Sequence, residues 1–328
     1  MKVQLFKIRG GGIAYKIPTR LTSIGQENNG SVGTSGEYVY FGEWPQTIKA
    51  DDVVITEEKD DRGYYKGSDN YYYMKSEVLS YTTGLEYSNG KSVVDTDENI
   101  DGDEIYFKVE PIKWRVITNS YNNDSSLLLC ETILTGIDFY GDSFADRTLN
   151  SSTISANNYK YSNVRAYLNS TKNQFEIDGG ITNSTDIDWT GKGFYEIAFS
   201  EEAKNIILYT SVDNTLDSTN VTSNSYVCEN TNDKIFLLSR KEASSYFGEI
   251  VDYYNESAIR YTTDYAKANL VAQDSNEYGG YWWLRSPYYD NEAKIYDTSD
   301  CGNYDDYGYC YSTYGIVPAL CVKSENIK

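Results

Sequence analysis

Two short apolar runs near the C-terminus, Tyr281-Trp282-Trp283-Leu284-Arg285-Ser286-Pro287 and Ile316–Val322, bracket a stretch from Tyr288 to Tyr314 that is almost entirely small, polar or tyrosine. Each run is short, rich in aromatic or β-branched residues, and ended or interrupted by proline, at Pro287 and Pro318. Both therefore predict buried strands. Two core strands so placed hold the ends of the intervening segment, and its turn-rich composition predicts exposed loops between them.

Elsewhere the signals are of short strands and short helices. Tyr38-Val39-Tyr40-Phe41, Ile105–Val109, Lys113–Ile117 and Ser125–Cys130 combine β-branched and aromatic residues at strand length. Ser162 is placed to cap a helix over Asn163–Leu168, Ser200 one that opens on Glu201 and Glu202, and Thr262 or Thr263 one running to Asn269. Ser239 and Glu242 have the spacing of a capping box ahead of Ala243–Phe247. Helices this short depend on packing against a sheet. The expected architecture is α+β, with short helices on an irregular, mostly antiparallel sheet. Gly10–Gly12 and the Gly-, Asn- and Ser-rich residues 27–36 mark residues 1–36 as an appendage or linker, leaving 37–328 as one domain.

Composition removes several function classes. The 328 residues contain no histidine, which excludes Ser-His-Asp and Cys-His mechanisms and leaves catalysis to carboxylates, Lys, Tyr or Cys. A net charge of −20 repels nucleic acid and anionic membrane surfaces. No apolar stretch reaches membrane-spanning length, so no membrane insertion is expected. The first residues, Met1-Lys2-Val3-Gln4-Leu5-Phe6-Lys7, show no signal peptide. A cytoplasmic location, another export route and a replaced N-terminus all stay open. Cys130 and Cys321 lie in apolar runs and read as buried thiols, whereas Cys301 and Cys310 lie among Gly, Asn and Tyr and leave open a disulfide across the loop.

The chain has 34 Tyr against 10 Phe and 5 Trp, and tyrosine offers a rigid ring together with a hydroxyl, the combination that binding surfaces exploit. Turn chemistry accounts for Gly302, Asn303 and Gly308, but it does not call for the tyrosines around them. The candidate ligand-binding residues are Tyr288, Tyr289, Asp290, Asn291, Tyr296, Asp300, Asn303, Tyr304, Asp305, Asp306, Tyr307, Tyr309, Tyr311 and Tyr314. A protein, peptide or glycan would suit such a surface, and no catalytic residue or cofactor is expected. Calcium has two weak candidates, the acidic run 95–104, which has Ile100 where an EF-hand loop requires glycine, and the pair Asp305-Asp306.

The motif Trp-Trp-Leu-Arg-Ser-Pro at 282–287, followed by Gly315-Ile316-Val317-Pro318-Ala319-Leu320, resembles a bacterial domain family of unassigned function that shares this ending. Tyr38–Pro45, Pro111–Val116, Arg165-x-x-Leu168-Asn169, Ala198-Phe199 and Asp233–Ser239 fit the same pattern, so the resemblance spans roughly residues 37–323. That family is similar to the C-type-lectin-like fold of formylglycine-generating enzymes, a fold also used by variable proteins of diversity-generating retroelements. The resemblance implies that fold, a location at the cell surface or outside the cell, and an adhesin-like binding role with variable residues near the C-terminus. Formylglycine-generating enzymes use a C-terminal cysteine pair with copper. Cys301, Cys310 and Cys321 do not map onto that pair, so oxidase activity is the alternative reading, with a structural surface subunit as a further one.

Overall fold

The computed structural model describes residues 22–28, 35–79, 84–93, 104–122, 124–141, 147–149, 151–170, 189–273 and 278–327. The acidic run considered for calcium lies, but for Glu104, outside the described residues. In chain order the strands are β1 (Thr22–Asn28), β2 (Ser35–Ile48), β3 (Tyr65–Lys66), β4 (Tyr72–Glu77), β5 (Glu104–Tyr121), β6 (Ser125–Cys130), β7 (Thr132–Ile133), β8 (Gly136–Asp138), β9 (Arg147–Leu149) and β10 (Ser152–Ile154). They continue as β11 (Thr210–Val212), β12 (Thr231–Asp233), β13 (Ile235–Phe236), β14 (Tyr261–Thr262), β15 (Trp282–Pro287), β16 (Lys294–Thr298), β17 (Asp306–Tyr309), β18 (Thr313–Gly315) and β19 (Ala319–Lys323). The α-helices are α1 (Asn163–Asn169), α2 (Phe194–Ala198), α3 (Glu201–Lys204), α4 (Arg240–Phe247) and α5 (Asp264–Ala268).

Two open sheets dominate. The larger runs β1-β2-β5-β6-β19-β13, with the β3–β4 hairpin attached to β5, and the smaller runs β17-β16-β15-β18-β8. Pairing is antiparallel except at β15–β18 and β14–β7, so the architecture is α+β and mostly antiparallel, with few short helices. Strand β1, which lies within the expected appendage of residues 1–36, joins the large sheet by pairing along β2. The two expected strands at Ile105–Val109 and Lys113–Ile117 are one long strand, β5, with Pro111 beside the register shift of the β2–β5 pair, the kind of irregularity at which a ladder tolerates proline.

The helices begin where their caps lie. Ser162 Oγ accepts from Arg165 N, Ser200 Oγ from Ala203 N, and Thr263 Oγ1 from Ala266 N. Both arms of the Ser239–Glu242 capping box are formed, at 3.1 and 2.8 Å. Helix α2 carries no comparable signal, since Gly193 precedes it and gives no side-chain cap.

The residues of the C-terminal motif are core and scaffold. Trp282, Trp283 and Leu284 are fully buried, as are Ala319 and Leu320. Each indole nitrogen donates to a carbonyl, Trp282 to Ala258 and Trp283 to Ile137, which satisfies the polar atom that a buried Trp brings inside. Arg285 is buried and donates to the carbonyls of Leu237 and Asp213 and to the Glu242 carboxylate, tying β15 to the cap of α4. The Arg165-x-x-Leu168-Asn169 motif has a similar task. Arg165 pairs with buried Asp233 at 2.7 Å, and Asn169 bridges the backbone of Lys234 and Ile235.

Candidate functional site

The segment 288–314 is a folded part of the small sheet and not a run of exposed loops. Lys294-Ile295-Tyr296-Asp297-Thr298 forms β16, and β17 closes a hairpin on it at the sheet edge. The alternation of Lys294 and Tyr296 with Ile295 and Asp297 is a strand signal that the turn-like composition around it masks. Register puts Lys294 opposite Tyr309 and Tyr296 opposite Tyr307, so these four share the outer face. On the inner face Ile295 lies opposite Gly308, and Asp297 opposite Asp306. Gly308 is dictated by packing, because a Cβ there would lie 2.4 Å from the Tyr314 ring and 2.9 Å from Trp283.

The outer face carries a continuous tyrosine cluster. The Tyr288 ring lies 4.5 Å from Tyr307, 4.8 Å from Tyr289 and 4.9 Å from Tyr296 between centroids. Tyr309 stacks on Tyr311 at 5.5 Å. Lys294, the single basic residue between Ser286 and Gly315, joins the two groups, its Nζ 3.8 Å from the Tyr307 ring and 5.2 Å from the Tyr309 ring. Tyr289, Tyr307, Tyr309 and Tyr311 are exposed, with Asp290 and Glu292 exposed beside them. Partial burial, then the neighbouring Tyr289, pushes the Tyr288 hydroxyl up to about 12, so it remains a neutral donor at physiological pH.

Several predicted site residues face elsewhere. Tyr304 is buried, its hydroxyl donating to the Gly248 carbonyl, and it belongs to the core. Tyr296 is buried beneath Tyr288 and the Arg240 guanidinium, which lies 5.0 Å from its ring. Asp300 is buried at the end of the hairpin, where its carbonyl accepts from Gly279. Tyr314 stacks on Trp283 at 4.5 Å and supports the hairpin from below. Asn291 and Asn303 use their side-chain oxygens to close turns onto Ala293 N and Asp305 N, and Asp306 accepts from Tyr307 N. Asp305 is held by Arg240 at 2.6 Å. The causes differ by residue: strand alternation turns Asp306 to the inner face, Tyr296 lies on the outer face but is covered by Tyr288 and Arg240, and Asn291 and Asn303 are used by their own turns.

The hairpin rests on residues far away in sequence. The buried Asn157 amide donates to the carbonyls of Asn291 and Lys294, and the Asn224 amide donates to the Pro287 carbonyl. Arg240 and Lys294 are not among the residues that the sequence points to. The strand alternation around Lys294 is a signal for that residue, but nothing local marks Arg240.

Asp297 is fully buried, and neither of its carboxyl oxygens has a hydrogen-bond partner. Burial and then the charge of Asp306 hold its carboxyl well above the usual carboxylate range. The five cysteines are free, and Cys301 and Cys310 are not joined. Burial pushes Cys130 and Cys321 up to about 12 and Cys228 up to about 11, so these three thiols are protonated at neutral pH. Among the described residues no group of three or more Cys, Asp or Glu is arranged to hold a metal ion, and no helix is long and apolar enough to cross a membrane.

No curated protein and no solved structure matches the chain. Residues 123–324, which include β6 through β19 and with them both sides of the tyrosine hairpin, match a family described as a domain of unknown function (DUF6273), and the chain belongs to that family.

Proposed function

We propose that this protein is a non-catalytic binding protein of C-type-lectin-like fold, whose ligand, a protein, peptide or glycan, rests on the tyrosine face of β16 and β17. One observation carries the reading: Tyr288, Tyr289, Tyr307, Tyr309 and Tyr311 form a contiguous, largely exposed aromatic surface around Lys294, on a hairpin fixed from beneath by buried Trp283 and Asn157. Solvated turns have no need of such rings, whereas a preorganised aromatic surface binds with little further loss of side-chain entropy. The acidic rim of Asp290 and Glu292, with a chain charge of −20, argues against nucleic acid. The absence of histidine leaves no triad chemistry, and burial keeps the thiols of Cys130, Cys228 and Cys321 protonated at neutral pH.

The test is binding of the full chain to immobilised glycan and peptide panels, repeated with Tyr307→Ser/Tyr309→Ser/Tyr311→Ser. Binding at least tenfold weaker at an unchanged thermal midpoint is expected, and undiminished binding contradicts the reading. The same reading includes an adhesin-like role at the cell surface and diversification by a retroelement. Sequences of this locus from several isolates should then vary at Tyr289, Tyr307, Tyr309 and Tyr311 while Tyr296 and Tyr304 stay aromatic. Variation spread evenly along the chain contradicts diversification.

A further inference from the structure

A second exposed aromatic surface lies outside the hairpin, on the loop after α4. Val251, Tyr253, Tyr254, Tyr261 and Tyr278 are all exposed, Tyr253 at 81%. Val251 and Tyr254 exchange backbone hydrogen bonds of 3.0 and 2.9 Å around Asp252 and Tyr253, whose φ values are +50° and +65°. These are the φ values of a type I′ turn, for which Asn-Gly is the low-energy choice. A tyrosine in the left-handed region is strained, and here the strain accompanies a ring held almost wholly in solvent.

The turn stands on a fixed base. Asn255 is buried and donates through its amide to the carbonyls of Phe247 and Glu249, and its backbone N–H donates to the Cys301 carbonyl. Gly302, with φ +79°, passes so close that a Cβ would lie 2.0 Å from the Asn255 carbonyl oxygen. Tyr261 and Tyr278 are drawn to the same place, since Gly280 N donates to the Arg260 carbonyl and Gly279 N to the Asp300 carbonyl. Together with Glu256 and Cys301, they lie within electrostatic reach of the Tyr254 hydroxyl.

The turn carries charge of one sign, and Arg260, beside Tyr261, is buried against Glu131 and does not face the rings' solvent side. Glu249, Asp252 and Glu256 lie between Gly248 and Ile259, and no Lys or Arg does. Exposed tyrosine faces ringed by carboxylates complement guanidinium and ammonium groups, which take up cation–π contacts and ion pairs together. A second copy of this chain is a poor occupant because both copies carry −20.

We propose that Val251, Tyr253, Tyr254, Tyr261 and Tyr278 form a second docking surface, separate from the β16–β17 face, for a cationic segment of a polypeptide partner. The test uses the full chain, a fluorescent hexa-arginine peptide at physiological ionic strength, and the variant Tyr253→Ser/Tyr254→Ser, which keeps the net charge. The variant is expected to bind at least tenfold more weakly with an unchanged thermal midpoint. Tyr253→Gly, which relieves the turn strain, should lose binding while its thermal midpoint holds or rises. Undiminished binding by either variant overturns the proposal, because it assigns the interaction to diffuse acidity. A loss that follows Tyr307→Ser/Tyr309→Ser/Tyr311→Ser instead also overturns it, and places the cationic segment on the hairpin face. No binding of the peptide by the unaltered chain overturns it outright.

Discussion

Tyr304 and Tyr311 come from the same polar stretch and occupy opposite environments, one in the core with its hydroxyl on the Gly248 carbonyl, the other at the surface against Tyr309. Urea unfolding should separate them. Tyr304→Ala is expected to lower stability by about 3–5 kcal/mol, the usual cost of emptying a buried aromatic site. Tyr311→Ala should stay within about 0.5 kcal/mol, as for an ordinary surface change. Equal effects would show that the two rings share one role. Arg285 gives a second test at this scale. It is buried against Glu242, so Arg285→Leu strands a carboxylate and should destabilise by about 3–5 kcal/mol in the same measurement. A change below about 1 kcal/mol would mean that water replaces the guanidinium there.

At the scale of elements, the β16–β17 hairpin presents tyrosines outward and a carboxylate inward. Folding favours neutral Asp297, because burial and Asp306 raise its pKa; Trp283 is its register partner on β15 and adds no charge. That contribution is complete below the ordinary carboxylate value, about pH 4, and is lost as pH rises through the folded-state value. Asp297→Asn removes the titration. The thermal midpoint of the variant relative to the unaltered chain should therefore climb as pH is raised from about 4. Parallel pH profiles would contradict a buried, unpartnered carboxyl. Helix α4 offers a smaller check, since Ser239→Ala breaks the capping box and should cost about 1 kcal/mol in thermal unfolding.

For the whole molecule, legibility in the sequence followed locality. The caps at Ser162, Ser200, Ser239 and Thr263, and the apolar strands β6 and β15, rest on neighbouring residues and could be read directly. The hairpin could not, because Tyr, Asp and Thr in β16 mimic turn composition while residues outside it, Trp283, Tyr314 and the distant Asn157, give it a base to pack on. Tyr296 and Tyr304 look like Tyr307 and Tyr309 to any composition count, and only tertiary cover divides them: Tyr288 and Arg240 lie over Tyr296, and Tyr304 reaches the Gly248 carbonyl. The strained display of Tyr253 was likewise invisible, since tyrosine is among the least expected residues at positive φ. The residues of the Trp-Trp-Leu-Arg-Ser-Pro and Arg-x-x-Leu-Asn motifs are scaffold: Trp282, Trp283, Arg285, Arg165 and Asn169 bury themselves and bind backbone.

A division between scaffold and binding face is the central claim, and one display experiment tests it most directly. Each residue from 282 to 320 would be substituted in the full chain and sorted twice, once for folded protein and once for capture on whichever glycan or peptide the unaltered chain binds. Substitutions at Tyr289, Tyr307, Tyr309 and Tyr311 should keep the fold and lose capture, whereas those at Trp282, Trp283, Arg285, Tyr296 and Tyr304 should lose both together. Capture that survives every substitution at the four exposed tyrosines would contradict the account.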